Sequence, residues 1–139
     1  MSFTLSTIRA AIGDQLRANL DRQINVDVDG SGAPAPVVRF ELVETPNYRG
    51  TFGPNGVAFV RARFVLDPAG VDQSAVRRLD DLLSVGTGNR SSVWDAIHAD
   101  QSFGGTVQGL LVEPGEYDPI NVTAELAVEF IALKQGANV

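Results

Sequence analysis

The chain has 139 residues, of which 44% are apolar and 20% are charged. These values are typical of one folded domain, so we expect residues 1–139 to form a single domain and exclude a disordered or collagen-like chain. The sequence has no cysteine and one histidine, which excludes disulfides, thiolate nucleophiles, zinc fingers and iron–sulfur clusters. The net charge is −6 and the longest basic run is Arg77–Arg78, which disfavours tight binding to nucleic-acid phosphates.

The sequence offers no sign of a membrane association. No apolar stretch approaches the roughly 20 residues that a transmembrane helix needs. Residues 1–6 lack the basic start and apolar core of a signal peptide. We therefore expect a soluble protein made in a cytoplasm, without a membrane partner.

Hydrophobic periodicity predicts the elements in chain order. Apolar residues recur every three or four positions where a helix is predicted and at every second position where a strand is predicted. The predicted elements are a helix over residues 5–22, strands over 24–28, 37–44 and 57–66, helices that begin at Asp72 and Ser92, and strands over 106–113 and 120–133.

This α-β-β-β-α-α-β-β order predicts an α+β fold, with a mostly antiparallel sheet of four to five strands and the helices packed on one face. The strands at 37–44 and 57–66 are expected to pair antiparallel. A turn is expected at residues 114–119. The last strand has fourteen residues and would span roughly 46 Å. A bulge must therefore bend it, or part of it must project beyond the domain.

Charged residues share the outward face of three predicted strands. Arg39, Arg61 and Arg63 alternate with inward apolar residues, and Glu125 and Glu129 do the same on the last strand. Two interpretations stay open. The charges form a solvated face with cross-strand ion pairs, or they contact a neighbouring subunit and fix its register.

A loop over residues 45–56 is longer than a hairpin needs. It carries Tyr48, Arg49 and Phe52 among glycines and prolines. Tyr and Arg are favoured anchors of protein interfaces, so these three residues are candidates for docking. The alternative is that the aromatic side chains fold back onto the sheet edge.

Candidate chemistry in the sequence is weak. His98 lies between two aspartates, but no Gly-X-Ser-X-Gly turn supplies a nucleophile. Residues 86–92 place glycines before a helix, yet they lack the spacing and the Lys of a phosphate-binding loop. The acidic residues at 80–81 and 113–118 lack the spacing of a calcium loop. We therefore expect no catalytic residue, no cofactor and no metal site.

In residues 92–107 a short helix is followed by an aspartate and a Gly-Gly pair. The residues of this pattern are Ala96, Ile97, Asp100, Phe103, Gly104, Gly105 and Val107. The pattern resembles a segment of the tail terminator, or tail completion, proteins of long-tailed bacteriophages. The N-terminal helix, the central hairpin and the closing strand around residues 127–130 are also similar to that family's layout.

The resemblance implies a structural virion protein and no enzyme. Proteins of that family form rings, usually of six copies, on the head-proximal end of the tail tube, where they stop tube polymerisation and receive the head. The implied partners are therefore other copies of the chain, the tail tube protein and a head-side neck or stopper protein. Assembly would occur in the host cytoplasm.

In such a ring, genomic DNA would pass through the lumen without specific binding. A net-acidic lumen offers few cations to replace the counterions of the DNA. This expectation fails if Arg39, Arg61 and Arg63 line the inner surface of the ring.

The segment at residues 92–107 also has a physical interpretation. Trp94 and Ile97 are expected in the core, and Asp100 is expected to cap or turn the chain. Gly104 and Gly105 would let the backbone pass where a side chain does not fit.

Two other functions remain possible at this point. One is a head–tail stopper or another neck ring of the same kind of virion. The other is a small enzyme or ligand-binding domain, centred on His98 and the glycine linker.

Overall fold

The computed structural model describes residues 5–49, 57–88, 90–107 and 109–133. Within these residues the elements are α1 (Leu5–Asn19), β1 (Asn25–Asp27), β2 (Val37–Leu42), β3 (Asn47–Arg49), β4 (Val57–Asp67), α2 (Gln73–Leu82), α3 (Val93–His98), β5 (Gly109–Asp118) and β6 (Thr123–Leu133). No helix among them is long and apolar enough to cross a membrane.

The strands form one mixed sheet in the order β1-β2-β4-β6-β5, and β3 pairs with β4 beyond the end of β2. The central strand β4 pairs antiparallel with β2 on one side and with β6 on the other, so that Phe64 lies opposite both Phe40 and Leu126. The predicted α+β class and the predicted antiparallel pairing of β2 with β4 are both confirmed.

The sheet is partly parallel, which the short link between its first two strands did not predict. β1 runs parallel to β2, with Asn25 opposite Val37, and the other four pairings are antiparallel. Residues 28–36 return the chain to the same end of the sheet. The side-chain amide of Asn25 donates to the Pro34 carbonyl oxygen at 2.7 Å and ties this loop to β1.

The predicted long loop at residues 45–56 contains a strand, which corrects the sequence-based boundary. Leu42 lies opposite Ala62, and the next ladder pair joins Asn47 to Phe59. Residues 43–46 therefore face only two residues of β4, which is a bulge that bends the edge of the sheet. After the bulge the chain resumes pairing as β3.

The closing hairpin also differs from the prediction. β5 continues through Pro114 to Asp118, so the turn lies at residues 119–122 instead of 114–119. A register shift between Pro114 and Tyr117 places the bulge in β5. β6 is paired with β4 on one side and with β5 on the other, so the long last strand stays within the sheet and does not project as an arm.

Apolar side chains from the helices and from one face of the sheet form a single core. Its largest fully buried members are Phe64, Phe103, Phe130, Ile8, Ile12, Leu16, Leu20, Leu66, Leu79 and Ile97. The ring of Phe130 lies 6.0 Å from that of Phe40 and 5.7 Å from that of Phe103, centroid to centroid. Burial of one such side chain contributes about 1.5–3 kcal/mol. Phe103, and with it the segment at residues 92–107, therefore packs against the sheet.

α1 ends at Asn19, earlier than its apolar pattern predicts. The Arg90 guanidinium donates to the carbonyl oxygens of Ala18 at 2.9 Å and Leu20 at 3.1 Å, and the Asp21 N–H donates back to the Arg90 carbonyl at 2.7 Å. A cation is favourable at a helix C-terminus, where carbonyl groups are unpaired. The link between α2 and α3 is thereby fixed to the end of α1.

Helices α2 and α3 begin at the predicted caps. The Asp72 carboxylate accepts the Ala75 N–H at 2.9 Å, and the Ser92 hydroxyl accepts the Asp95 N–H at 3.0 Å. Ser92 and Asp95 have the spacing of a capping box, but only its first half forms, because the Asp95 carboxylate accepts the Gly86 N–H at 2.8 Å. This hydrogen bond fixes Gly86 in the linker between α2 and α3 instead of capping the start of α3.

Asp27 is buried, with 2% of its surface exposed, and organises the loop after β1. Its Oδ1 accepts the N–H groups of Gly30 and Ser31, and its Oδ2 accepts those of Gly32 and Ala33, at 2.9 to 3.4 Å. Burial raises the pKa of the carboxyl group, but the four donors outweigh burial and hold the pKa below 3.8. The carboxylate replaces the backbone partners that a helix or strand would supply.

Replacing Asp27 by Asn tests this loop. The amide nitrogen of Asn cannot accept hydrogen bonds from the N–H groups that it would face. We therefore expect the Asp27→Asn variant to lose about 2 kcal/mol of unfolding free energy at neutral pH. A lowered folded pKa stabilises the protein above the unfolded pKa of about 3.9, and this contribution is lost as the pH falls through the folded pKa. In urea titrations the difference from wild type should shrink as the pH falls from about 6 to about 2.

Asp29→Asn is the matched control in the same loop, because Asp29 Oδ1 accepts the Ser31 N–H from an exposed position. Equal losses in the two variants, or a loss at Asp27 that does not change with pH, would contradict this account.

Candidate interaction surface

The face of the sheet opposite the helices is called the open face below. On β4 the core side chains Val60, Ala62 and Phe64 alternate with Arg61 and Arg63, because successive side chains of a strand point to opposite sides. The same alternation on β2 and β6 adds further charges. The charged residues of the open face that form ion pairs are Arg39, Glu41, Glu44, Arg61, Arg63, Asp67, Glu125 and Glu129.

Arg63 lies at the centre of the open face and joins three strands. Its guanidinium contacts Glu41 of β2 at 2.9 Å and Glu125 of β6 at 3.6 Å. The hydrogen bond that Arg63 donates to Glu41 raises the pKa of Arg63 above its ordinary value; partial burial opposes the rise, and the charge of Glu125 adds to it. The guanidinium therefore stays charged and links β2, β4 and β6.

Arg39 and Arg61 each bridge two carboxylates in the same way. Arg39 lies 4.0 Å from Glu41 and 3.9 Å from Asp67, measured between charged nitrogen and oxygen. Arg61 lies 3.3 Å from Glu44 and 3.6 Å from Glu129. The predicted cross-strand ion pairs are confirmed. A contact with a neighbouring subunit stays a prediction.

These ion pairs are partly exposed, so they contribute little to folding. The side chain of Arg61 is 63% exposed and that of Arg63 is 43% exposed. Exposed pairs are worth about 0–1 kcal/mol each. Three arginines face five paired carboxylates, which leaves this set at 3 − 5 = −2 charges.

Apolar side chains interrupt the charges of the open face. Val43 and Leu111 are 59% and 54% exposed, and Ile131 is also exposed. Val43, Leu111, Arg61 and Glu129 line a shallow cavity of 320 Å³ on this face. Exposed apolar groups beside partnered charges are typical of surfaces that bind other proteins.

The loop candidates lie at the edge of the sheet or outside the described residues. Tyr48 and Arg49 belong to β3, where their backbones pair with those of Ala58 and Val57. Phe52 lies outside the described residues. The structure therefore places the backbones of Tyr48 and Arg49 beside β4.

The segment at residues 92–107 forms one packed unit. Ala96, Ile97, Phe103 and Val107 are all buried in the core. Trp94 was expected in the core with Ile97, and this is wrong in part, because Trp94 is half-buried. The indole of Trp94 stacks on the imidazole of His98, one turn later in α3, with ring centroids 4.2 Å apart.

Asp100 turns the chain after α3, as expected. Its carboxylate accepts the Ser102 hydroxyl at 2.7 Å, the Ser102 N–H at 3.0 Å and the Gly104 N–H at 2.9 Å. The Ser102 hydroxyl first, and the two backbone donors after it, lower the pKa of Asp100. Asp100 is therefore occupied by the turn.

The two glycines of this segment serve backbone conformation rather than tight packing, which corrects the sequence-based explanation. Nothing lies within 4 Å of a Cβ added at Gly104 or Gly105. Their φ angles are 70° and 87°, and Phe103 before them has a φ of 47°. Residues other than glycine rarely adopt such φ angles, so the backbone conformation of the turn favours the Gly-Gly pair.

The residues considered for chemistry show only structural contacts. His98 Nδ1 lies 2.8 Å from the Trp94 carbonyl oxygen, and no ion pair includes His98 within the described ranges. In the part of the chain that the structure describes, no group of three or more acidic or His side chains is arranged to hold a metal ion. The linker at residues 86–88 is held by Asp95.

Sequence reasoning missed two residues that the structure makes prominent. Asp27 precedes Gly30 and Gly32, and an Asp followed closely by glycines is a signal for a side chain that caps backbone N–H groups. Ile120 is an exposed aliphatic residue between Pro119 and Asn121, two residues that favour turns. Both signals are present in the sequence.

The chain was compared with known proteins. A scan against protein-family models and a search of curated protein sequences found no match.

The ion pairs of Arg63 can be tested by Arg63→Met, which keeps an extended apolar side chain. We expect a loss of about 0.5–1 kcal/mol in unfolding free energy at low ionic strength and a smaller loss near 1 M salt, because salt screens exposed pairs. Urea unfolding at the two salt concentrations measures both values. Arg77→Met, at an exposed position of α2, is the control and should be nearly neutral; a loss above about 2 kcal/mol at Arg63 would contradict a partly exposed pair.

The Gly-Gly turn can be tested by Gly105→Ala. Because the φ of Gly105 is 87°, we expect a loss of about 1 kcal/mol in thermal or urea unfolding. Gly109→Ala is the matched control, since its added Cβ would meet Ile131 at an ordinary contact distance of 3.5 Å. If both variants are equally stable, conformation is not what requires glycine at 105.

Proposed function

We propose that this chain is a tail terminator protein, which forms a ring on the head-proximal end of a phage tail tube, stops tube polymerisation and provides the surface for head joining. The observation that carries the proposal is the segment at residues 92–107, whose pattern resembles that family. Its matching residues act together: Ile97 and Phe103 are buried, Asp100 holds the turn, and Gly104 and Gly105 give the turn its backbone angles.

The mechanism proposed is association without catalysis. A ring needs a surface that recognises a second copy in a fixed orientation, and head-to-tail contacts between different surfaces generate closed rings when the rotation closes. The open face has features that suit this role, since Val43 and Leu111 supply apolar contact area and the ion pairs of Arg39, Arg61 and Arg63 fix the positions of charges. The partners proposed are other copies of the chain, the tail tube protein and a head-side neck protein.

Genomic DNA is proposed to pass through the ring without specific binding. Each arginine of the open face already contacts two carboxylates, and the paired set has a net charge of −2. Phosphates would therefore compete with partners already in place and release few counterions. This supports weak adsorption of DNA, and the proposal fails if Arg39, Arg61 and Arg63 line the inner surface of the ring.

Deletion of the gene from the phage that encodes it tests the function. We expect negative-stain electron microscopy of the lysate to show tails of abnormal and variable length without attached heads, because the growing tube has lost its stop. Tails of normal length beside unattached heads would assign the protein to the neck instead. Intact infectious particles would overturn both assignments.

Complementation of the deletion with His98→Ala is the matched control. His98 contacts Trp94 within α3, and the proposed mechanism needs no proton transfer. The variant should therefore restore tails of normal length with heads attached. If it folds but fails to restore them, while the wild-type gene does, an activity centred on His98 is the better explanation.

A further inference from the structure

The outer side of β5 is open to a further strand and is called the free edge below. Within the described residues, β5 pairs with β6 on one side and with no strand on the other. The sheet ends on its opposite side in β1, which has only three residues, whereas β5 extends from Gly109 to Asp118. An unpaired edge presents backbone N–H and C=O groups on which another strand can pair.

The hydrogen bonds of the sheet determine which residues of β5 face the free edge. The Val43 N–H donates to the Arg61 carbonyl oxygen, so the backbone groups of Arg61 point away from β6. Successive residues of an antiparallel strand alternate in the side to which they bond. The backbone groups of Val60 therefore point toward β6, where Val60 lies opposite Phe130.

The same alternation continues from β6 to β5. Because Phe130 bonds to β4, its neighbour Glu129 points its backbone groups toward β5, where it lies opposite Leu111. Leu111 therefore bonds to β6, and Leu110 and Val112 present their N–H and C=O groups to the free edge. The side chains of Leu110 and Val112 pack against the core, which holds this part of β5 extended.

Pro114 ends the part of the free edge that can accept a strand. It follows Val112 by two residues, so its backbone nitrogen points to the same side, where the missing N–H costs no bond to β6. Proline cannot donate to an incoming strand, and the bulge between Pro114 and Tyr117 interrupts the ladder. The part of β5 that is available for pairing is therefore residues 109–113.

At the opposite edge of the sheet, a side chain of α1 occupies a backbone acceptor of β1. The Asn25 N–H donates to the Pro36 carbonyl oxygen, so the backbone groups of Val26 point outward. The Arg17 guanidinium donates to the Val26 carbonyl oxygen at 3.4 Å. A strand that paired with β1 would displace Arg17, which leaves β5 as the edge suited to pairing.

We propose that the free edge of β5 binds β5 of a second copy of this chain, as an antiparallel pair with Leu111 opposite the partner's Leu111. In this register Leu110 exchanges backbone hydrogen bonds with the partner's Val112, and Val112 does so with the partner's Leu110. All the outward N–H and C=O groups of these two residues are then satisfied. The two sheets become one continuous sheet whose open faces lie on the same side.

An exposed leucine favours pairing of β5 with itself in this register. Leu111 lies on the open face and is 54% exposed. At a non-hydrogen-bonded position of an antiparallel pair, opposite Cα atoms lie about 4.5 Å apart, so the two leucine side chains bury each other. A shift of two residues would place Leu111 opposite the partner's Gly109 or the partner's Glu113 instead and lose this contact.

The charge of the segment fits the same register. Glu113 is the only charged residue among residues 109–113, and it lies opposite the partner's Gly109. No two like charges therefore face each other directly across the pair. The backbone groups, the exposed leucine and the charge of this segment are thus complementary to a second copy of the same segment.

This contact differs from the ring contact of the proposed function. Pairing of β5 with itself joins identical surfaces and closes with two copies, whereas a ring needs a head-to-tail contact between different surfaces. The inference therefore does not rest on the proposed function. Purified protein tests it without phage particles.

Sedimentation velocity of the full-length protein measures the dimer. A contact of five residues from each copy is small, so we expect a dissociation constant of roughly 10 μM to 1 mM. Leu111→Glu removes the apolar contact and places two like charges opposite each other, which should raise this constant about tenfold or more. Val43→Glu is the matched control, because Val43 is also exposed on the open face but lies away from β5. It should leave the constant nearly unchanged, and urea unfolding checks that both variants fold.

A mixture of Gly109→Cys and Glu113→Cys variants tests the register, since the natural chain has no cysteine. In the proposed register the two cysteines lie opposite each other at a non-hydrogen-bonded position, so mild oxidation should give disulfide-linked dimers with one chain of each variant. In either variant alone the two cysteines are offset by four residues, or about 13 Å, which a disulfide cannot span. Mass spectrometry of the dimers identifies the two chains.

Three results would overturn the inference. One is a protein that stays monomeric at about 1 mM, including one that binds only a strand of another protein. Another is a dimer that Leu111→Glu and Val43→Glu weaken equally. The third is a single cysteine variant that forms as much disulfide-linked dimer as the mixture, because the contact would then have another register or another place.

Discussion

The alternation of β4 is the constraint on which the rest of the structure depends. Val60, Ala62 and Phe64 face the helices, so Arg61 and Arg63 must face the other side. A shift of one residue would bury two guanidinium groups at a cost far above that of any surface ion pair. Burial on one side therefore determines both the core and the charged open face.

Three aspartates hold the turns that connect the elements of this framework. Asp27, Asp100 and Asp118 each accept several hydrogen bonds from residues that follow them, and all three have a lowered pKa. Each carboxylate replaces the backbone partners that a loop lacks. The carboxylates of these three residues are therefore occupied by hydrogen bonds within the fold.

The open face combines charges paired within the chain with exposed apolar side chains. The open face presents arginines already paired within the chain, which suits orientation more than affinity. Val43 and Leu111 add exposed apolar area to the same face.

The sequence by itself determined the α+β class, the inward and outward faces of β2 and β4, the caps Asp72 and Ser92, and the role of Asp100 as a turn. These features depend on local periodicity and on hydrogen bonds between near neighbours. Only the tertiary structure decided that β1 runs parallel to β2 and that β5 continues through Pro114. Strand pairing depends on contacts between residues distant in sequence, which periodicity does not encode.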